Sequence, residues 1–229
     1  MSDPGGDDSG PHWDDVVDVI CVGSAPGVLA YGLCCAAADL DVLVIDPPAR
    51  PDPVLDEFTA AMTEDLGDPE ADPTLSVNSV RSAPVPESRT RDDFVGHRLR
   101  DWSARCLASP LAVLLTEVSD VLVPMCAENG ESITAAVLGG YHAPLERWLR
   151  DRAAEQGLTA DGELAALVLD GGRIAGVRLA DGSTVAATAG LALPIGPEGA
   201  PEIDGSGDLE VAVVGRPFGR FARVELLRR

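Results

Sequence analysis

Residues 18–46 read DVICVGSAPGVLAYGLCCAAADLDVLVID, and this stretch decides the fold that the sequence predicts. The almost continuous apolar run 16–22 is typical of a buried parallel strand. The small apolar residues 28–38 favour a buried helix, and residues 42–45 repeat the strand pattern just before the acid Asp46. This order of strand, turn, helix, strand and terminal acid predicts a nucleotide-binding βαβ unit.

The turn between the first strand and the helix departs from the usual phosphate-binding pattern. In a G-x-G-x-x-G turn the first glycine permits the tight bend, the second lets the backbone approach a pyrophosphate, and the third lets the helix pack on the strand. In this register the three positions are Gly23, Ala25 and Val28, so only the first glycine is kept. Asp46 stands where an acid bonds a ribose hydroxyl. The candidate cofactor-binding residues are therefore Gly23, Ser24, Ala25, Gly27 and Asp46.

The composition limits the partners that the surface accepts. The formal net charge is −21, from 38 acids and 17 bases, so the surface as a whole repels nucleic acid and anionic membranes. Every base is arginine, which excludes a Schiff-base lysine and a P-loop lysine. The apolar stretches are too short to span a membrane, and the acidic start lacks the apolar core of a signal peptide. We therefore expect a protein that binds neither nucleic acid nor membrane.

The cysteines indicate a reducing compartment. Their number, five, is odd, and none forms a C-x-x-C pair. Cys21 lies in the apolar strand and Cys34 and Cys35 lie in the small-residue helix, where thiols act as small core residues. We expect a cytoplasmic protein.

The rest of the chain predicts a single domain, residues 15–229, after a disordered acidic tail at residues 1–14. Residues 47–92 are rich in proline and acids and predict a long irregular connection. Residues 111–141 contain strand-like runs on both sides of Asn129-Gly130, a strong hairpin pattern, and predict a small antiparallel excursion.

The C-terminal half predicts a helix, a β meander and a final helix. The helix covers 144–156, the meander strands cover 164–169, 173–179 and 184–187, and a buried strand follows at 190–195. In a final helix at 218–227, Arg216, Arg220 and Arg223 would share one face. That face could hold an acidic partner, a phosphate or the protein's own acidic body.

Residues 18–46 resemble the N-terminal segment of FAD-dependent dehydrogenases of the fumarate reductase and 3-ketosteroid dehydrogenase type. A second block, residues 145–196, resembles the later part of that family's FAD domain, in which a helix precedes a GRVxGV meander and a strand ending in ATG. Here the corresponding segments read GRIAGV at 172–177 and LPIG at 193–196. The resemblance implies an α/β, Rossmann-like FAD/NAD(P)-binding fold with a β meander, FAD as cofactor and an oxidoreductase activity.

The chain also departs from this family. The glycine- and serine-rich stretch that wraps the flavin is replaced by residues 47–92, and the substrate domain is far too short. The C-terminal Gly-Asp or Gly-Glu motif is missing, and the nearest candidate places Arg216 where the family has an acid. The resemblance therefore implies a shortened, degenerate member, either a pseudoenzyme or a subunit that needs a partner.

The sequence assigns no catalytic residue and no metal ligand. Among the histidines, only His142, which follows Tyr141, lies where a substrate-facing acid could sit. A loop histidine with a structural role is the alternative. Metal-ligand spacings such as C-x-x-C or H-x-x-x-H do not occur, so no metal site is predicted.

Two functions remain open from the sequence. The first is a flavoprotein-like oxidoreductase relative with weakened or partner-dependent FAD binding at the glycine turn. The second is a non-catalytic scaffold or partner subunit that keeps the fold and acts through protein–protein contacts. In the second case the acidic surface and the C-terminal arginines would contact a protein partner, or another copy in a homo-oligomer.

Overall fold

The structure is a computed structural model, and it describes residues 11–81, 96–117, 120–130, 132–197, 199–203, 207–217 and 219–228. The helices are α1 (Pro26–Ala37), α2 (Pro53–Thr63), α3 (His97–Leu107) and α4 (Leu145–Glu155), with a 3-10 turn at Glu64–Leu66. The strands are β1 (Asp15–Val17), β2 (Val19–Val22), β3 (Val42–Asp46), β4 (Thr74–Leu75), β5 (Val77–Arg81), β6 (Ala112–Leu115), β7 (Val123–Ala127), β8 (Ser132–Gly140), β9 (Ala160–Asp170), β10 (Arg173–Leu179), β11 (Thr184–Ala187), β12 (Leu191–Ile195), β13 (Glu202–Ile203), β14 (Glu210–Gly215) and β15 (Phe221–Arg228). None of the helices in these ranges is long and apolar enough to cross a membrane.

The local order of strand, turn, helix and strand is present as predicted. All residues of β2 are buried, and α1 begins at Pro26, whose fixed φ suits the first helical position. After α1 the chain turns through Asp39, which has a φ of 60°. β3 then pairs with β2 in parallel, with Val22 opposite Ile45. The sequence pattern therefore predicts the local structure correctly: the two apolar runs form β2 and β3, and Pro26 begins α1.

The βαβ unit lies inside a 13-stranded mixed sheet. β9, β3, β2 and β12 are neighbouring parallel strands, and β6 pairs in antiparallel with both β12 and β15. Beyond β9, the strands β10 and β11 form the predicted meander, and β11 pairs with β1. Only one residue separates β1 from β2. The strand pairings therefore run from β2 through β3, β9, β10 and β11 and back to β1, next to β2. The meander consequently packs on one face of the parallel strands, where it shares one apolar core with them. α1 and α4 pack on the opposite face.

The other end of the sheet closes into a five-stranded barrel. Its strands follow the order β15, β14, β8, β7 and β5, and β5 pairs back with β15 in parallel. The β7–β8 hairpin is the one predicted at Asn129-Gly130. Closure pairs strands that would otherwise be free edges.

The predicted α/β, Rossmann-like FAD/NAD(P)-binding fold is wrong. The described residues are mostly β, with 41% in strands and 25% in helices, and they contain a closed five-stranded barrel within a large mixed sheet. A Rossmann-like fold requires a mainly parallel sheet with crossover helices. Here β6, β8, β14 and β15 extend the short parallel segment with antiparallel strands through long-range pairing. The descriptions Rossmann fold and FAD-binding fold therefore do not apply.

The predicted C-terminal helix is also wrong, because residues 221–228 form β15. Seven of its eight residues are buried, between β14 on one side and β6 and β5 on the other. The spacing of Arg216, Arg220 and Arg223 suits a helix face, but the apolar residues between them also suit a strand covered on both faces. Partners on both sides satisfy the backbone groups of β15, and these tertiary contacts override the local pattern.

Two predicted segments take part in the main sheet. Within the predicted excursion 111–141, β7 and β8 form the hairpin, but β6 belongs to the main sheet through β12 and β15. Within the predicted connection 47–92, the structure places α2 and also β5, which closes the barrel. The remainder of that connection, residues 82–92, lies outside the described residues.

The predicted tail is described only from residue 11 onward. Its last residue, Asp14, donates its N–H to the carbonyl oxygen of Thr184 at 2.9 Å. The Asp14 carboxylate accepts hydrogen bonds from the N–H and from the hydroxyl of Thr184, both at 2.9 Å, and these two bonds lower the pKa of Asp14. The chain is thus anchored on β11 one residue before β1 begins.

Candidate functional site

The glycine turn locks the ends of β2 and β3 together. Gly23 has a φ of 83°, a conformation that side chains rarely adopt, and its N–H donates to the carbonyl oxygen of Ile45 at 2.7 Å. A Cβ at Gly23 would lie 3.9 Å from Pro47, which is ordinary contact. Backbone conformation, rather than space, therefore requires glycine here.

Three of the predicted cofactor-binding residues, Gly23, Ser24 and Asp46, lie at the carboxyl ends of β2 and β3. Asp46 is the last residue of β3 and follows Ile45, the acceptor of the Gly23 bond. Asp46 and Ser24 are both exposed. An exposed carboxylate at this place is able to accept hydrogen bonds from a ribose, as the sequence predicts.

Gly27, another predicted residue, is buried by the protein itself. A Cβ on Gly27 would stand 2.6 Å from the carbonyl oxygen of Leu111 and 2.7 Å from its carbonyl carbon. That same carbonyl accepts the N–H of Val224 at 3.1 Å, so β15 holds the segment in place. Gly27 therefore allows close packing between α1 and the main chain at Leu111.

Ala25, the fifth predicted residue, borders a crevice of about 610 Å³ at the carboxyl end of β12. The crevice also contacts α4, where Arg150 and Glu146 form an ion pair at 3.3 Å. We call this cavity the carboxyl-end crevice, and its lining includes Ala25, Pro26, Glu146, Arg150, Ile195 and Gly196. The residues from β12 and α4 were not among the candidates. A buried strand followed by Gly196, visible in the sequence, could have indicated the residues from β12.

The start of α1 fits a dinucleotide pyrophosphate poorly. Pro26 has no N–H, so one of the backbone donors that a helix start offers to a phosphate is missing. Ala25 stands where the second glycine would let the backbone approach a pyrophosphate. Asp46, in contrast, suits a ribose. The residues present therefore match the nucleoside part of FAD better than its phosphates.

The thiols near α1 are not suited to nucleophilic chemistry. Burial raises the pKa of the Cys21, Cys34 and Cys106 thiols, and it raises the pKa of Cys35 to about 11. A thiol that stays protonated is a poor nucleophile, so these groups act as small core residues, as the sequence indicates. All five cysteines are free, and Cys126 is the partly exposed one.

The pair Tyr141 and His142 has structural contacts. The N–H of Tyr141 donates to the carbonyl oxygen of Leu209 at 2.7 Å. The ring of His142 lies 5.8 Å from that of Trp148, tilted by 41°. Across the described ranges, no three His, Cys, Asp or Glu side chains are grouped so that they could hold a metal ion.

A cluster of three arginines, which the sequence did not indicate, surrounds Trp102 of α3. Arg216 and Arg223 are buried, and Arg105 is exposed. The guanidinium carbons of Arg216, Arg223 and Arg105 lie 4.2, 5.2 and 5.5 Å from the ring centroid. Arg223 also donates to the Glu225 carboxylate at 2.8 Å, and Glu225 is 1% exposed. The two-residue spacing of Arg223 and Glu225 is typical of one strand face, and this pattern could have indicated the pair. Arg216 and Arg223 are therefore interior residues rather than a surface for a partner.

The chain matches no protein-family model and no curated protein sequence. Among solved structures, the crystal structure of HlmI is similar at 14% identity, over 80% of this chain and 73% of HlmI, with a TM-score of 0.20. At that TM-score the likeness carries no argument about fold or function.

Proposed function

We propose that this protein is a non-catalytic scaffold or partner subunit that acts through protein–protein contacts. One observation carries the proposal: α1 has Ala25 at its N-cap and Pro26 at its first position, so the second glycine of a phosphate-binding turn and one backbone N–H donor are both missing. In a nucleotide-binding βαβ unit, a pyrophosphate accepts hydrogen bonds from the backbone at that helix start. The start of α1 therefore offers a pyrophosphate less than such a unit does, which supports a structural role for this βαβ unit.

The partner that suits this protein has a basic surface. The formal net charge is −21, and the buried positions of Arg216 and Arg223 leave the acids to dominate the exterior. Opposite charge steers association and sets register, and salt screens it. We place this contact in the cytoplasm, in keeping with five free cysteines.

The proposal is tested first by adding FAD to the purified full-length chain. We expect a colourless protein, no quenching of FAD fluorescence and no shift of the melting temperature. Ala25→Gly restores the second glycine but leaves Pro26, which has no N–H, at the start of α1, so we expect no gain of FAD binding. A yellow protein, or FAD binding gained by Ala25→Gly, would overturn the proposal.

The second test addresses the partner directly. A protein captured by the full-length chain is purified separately and recombined with it at low and at high salt. We expect a basic protein whose affinity for this chain falls as salt rises. A complex that is insensitive to salt, or that contains only further copies of this chain, contradicts a basic partner.

A second candidate function is a flavoprotein-like oxidoreductase relative with weakened or partner-dependent FAD binding. It is favoured by the exposed Asp46, which follows the hydrogen-bond partner of Gly23, and by the carboxyl-end crevice, which Ala25 of the same turn lines. FAD, when bound, supplies the hydride and electron transfer of flavin chemistry. Under this candidate, FAD raises the melting temperature once the partner is present, and Asp46→Asn reduces that rise. No rise with the partner present excludes it.

A further inference from the structure

A second cavity, of about 320 Å³, lies between α2 and the hairpin of β9 and β10. We call it the α2 cleft. α2 lines it with residues at positions i, i+3, i+4 and i+7 of one helix face, namely Val54, Glu57, Phe58 and Ala61. The hairpin contributes Leu169, Gly172, Arg173 and Ile174. The volume falls at the lower end of small-molecule sites, which span roughly 300–1,000 Å³.

The apolar side chains of the α2 cleft are only partly covered by the protein. α2 has no fully buried residue, and Val54 and Phe58 are half-buried. Across the cleft, Leu169 is 50% exposed, which makes it one of the most exposed large apolar side chains described. An apolar ligand inserted here would remove this surface from water, and each Å² removed contributes about 25 cal/mol.

The α2 cleft also presents a cation with free donor capacity. Arg173 pairs with Glu117, but the Arg220 guanidinium contacts the sulfur of Met62 at 3.8 Å, and a thioether is a weak acceptor. In the part of the chain that the structure describes, no carboxylate lies within ion-pair distance of Arg220. The carbonyl oxygen of Arg220 accepts the N–H of Leu115 at 2.7 Å, so its backbone is held beside β6. Arg220 therefore suits a ligand carboxylate.

We propose that the α2 cleft binds a small amphipathic monocarboxylate. Its apolar tail lies between Phe58 and Leu169, and its carboxylate accepts hydrogen bonds from Arg220. Glu57 also lines the cleft and opposes additional negative charge, so the ligand has one carboxylate rather than two. The proposal uses none of the residues of the glycine turn and is independent of the proposed scaffold function.

The probe is octanoate, titrated calorimetrically into the full-length protein. We expect one site, and binding about tenfold weaker for Arg220→Gln, which removes charge-assisted hydrogen bonds. Glu57→Gln removes a like charge and is expected to tighten binding about two- to threefold. Octan-1-ol and octylamine are expected to bind at least about tenfold more weakly than octanoate, because they offer Arg220 no carboxylate.

A matched pair of tryptophan variants locates the site. Ala61 and Ala60 are exposed neighbours on α2, but only Ala61 lines the cleft. Ala61→Trp fills the cleft and is expected to abolish octanoate binding, whereas Ala60→Trp leaves the affinity unchanged. The absence of octanoate binding, equal effects of the two variants, or equal binding of octylamine would each overturn the proposal. If Ala61→Trp does not fold, the opposite responses of Arg220→Gln and Glu57→Gln decide it.

Discussion

The carboxyl-end crevice and the α2 cleft lie beside opposite ends of β12 and are built differently. The crevice, of about 610 Å³, includes Gly196 just after β12. The cleft, of about 320 Å³, includes Thr116, whose hydroxyl oxygen accepts the N–H of Leu191 at the start of β12. Around the crevice, glycines bring main chain against main chain. Around the cleft, side chains of a helix and a hairpin leave apolar surface uncovered.

This difference indicates that the larger of the two cavities is not the one better suited to a small amphipathic ligand. At the crevice, Gly27 meets Leu111, and a Cβ on Gly196 would stand 2.3 Å from the carbonyl oxygen of Ser109. These backbone groups are committed to internal packing. At the cleft, apolar surface and the Arg220 cation converge, which is the combination typical of small-molecule sites.

The largest effect on stability is expected from Gly27→Ala, beside the crevice. The new methyl group would overlap the Leu111 carbonyl, and neither backbone is free to move. We expect a loss of about 2–3 kcal/mol in the free energy of unfolding, measured by urea denaturation. In a helix without such a contact, a change from glycine to alanine would raise the free energy of unfolding by about 1 kcal/mol. A decrease in place of this increase therefore indicates the contact with Leu111.

Gly140→Ala is the control for Gly27→Ala, because nothing lies within 4 Å of a Cβ at Gly140. We expect its free energy of unfolding to stay within about 0.5 kcal/mol of the unchanged protein. If the two variants are equally stable, Gly27 is not packed closely against Leu111.

The next effect concerns the attachment of α2 beside the cleft. Asp52 is 6% exposed, and its carboxylate accepts the N–H of Val54 at 3.0 Å, which caps α2, and the N–H of Leu167 in β9 at 3.1 Å. Asp52→Ala removes both bonds, so we expect a loss of about 2 kcal/mol in unfolding free energy and weaker octanoate binding. Asp56→Ala, in the exposed first turn of α2, is the control and is expected to cost about 0.5 kcal/mol. Unchanged octanoate affinity in Asp52→Ala would show that binding in the α2 cleft does not depend on the hydrogen bonds of Asp52.

The smallest effects compare the exposed ion pairs of the two cavities. Arg150 pairs with Glu146 at the crevice, and Arg173 pairs with Glu117 at the cleft. Replacing either arginine with glutamine is expected to change the unfolding free energy by less than about 0.5 kcal/mol. Only Arg173→Gln leaves a bare carboxylate in the cleft, so only it is expected to weaken octanoate binding. An equal response to Arg150→Gln would place the octanoate site elsewhere.

The βαβ unit could be predicted because its determinants are local. Val19–Val22 is uniformly apolar, Pro26 begins the helix, and a second apolar run follows after a polar turn. The meander is likewise marked by its turn residues, and Asn129-Gly130 marks the β7–β8 hairpin. Each of these features is formed by neighbours in sequence.

The barrel could not be predicted in this way. β15 pairs with β5, so Leu226 lies opposite Val77 across most of the chain length. The arginine spacing in 216–223 favoured a helix, and only the pairing of β15 on both sides excludes it. A strand covered on both faces reads as a nearly continuous apolar run, which periodicity alone does not distinguish from a buried helix.

The candidate site likewise contains some features formed by neighbours in sequence and others formed by distant segments. The turn conformation at Gly23, the position of Asp46 at the end of β3 and the small-residue helix between them follow from local dihedrals and apolar periodicity, which can be recognised in the sequence. The packing of Leu111 on Gly27, the burial of Arg216 and Arg223 around Trp102, and the cleft between α2 and the meander are visible only in the folded protein. These features depend on contacts between segments far apart in the chain, whose register no local pattern records.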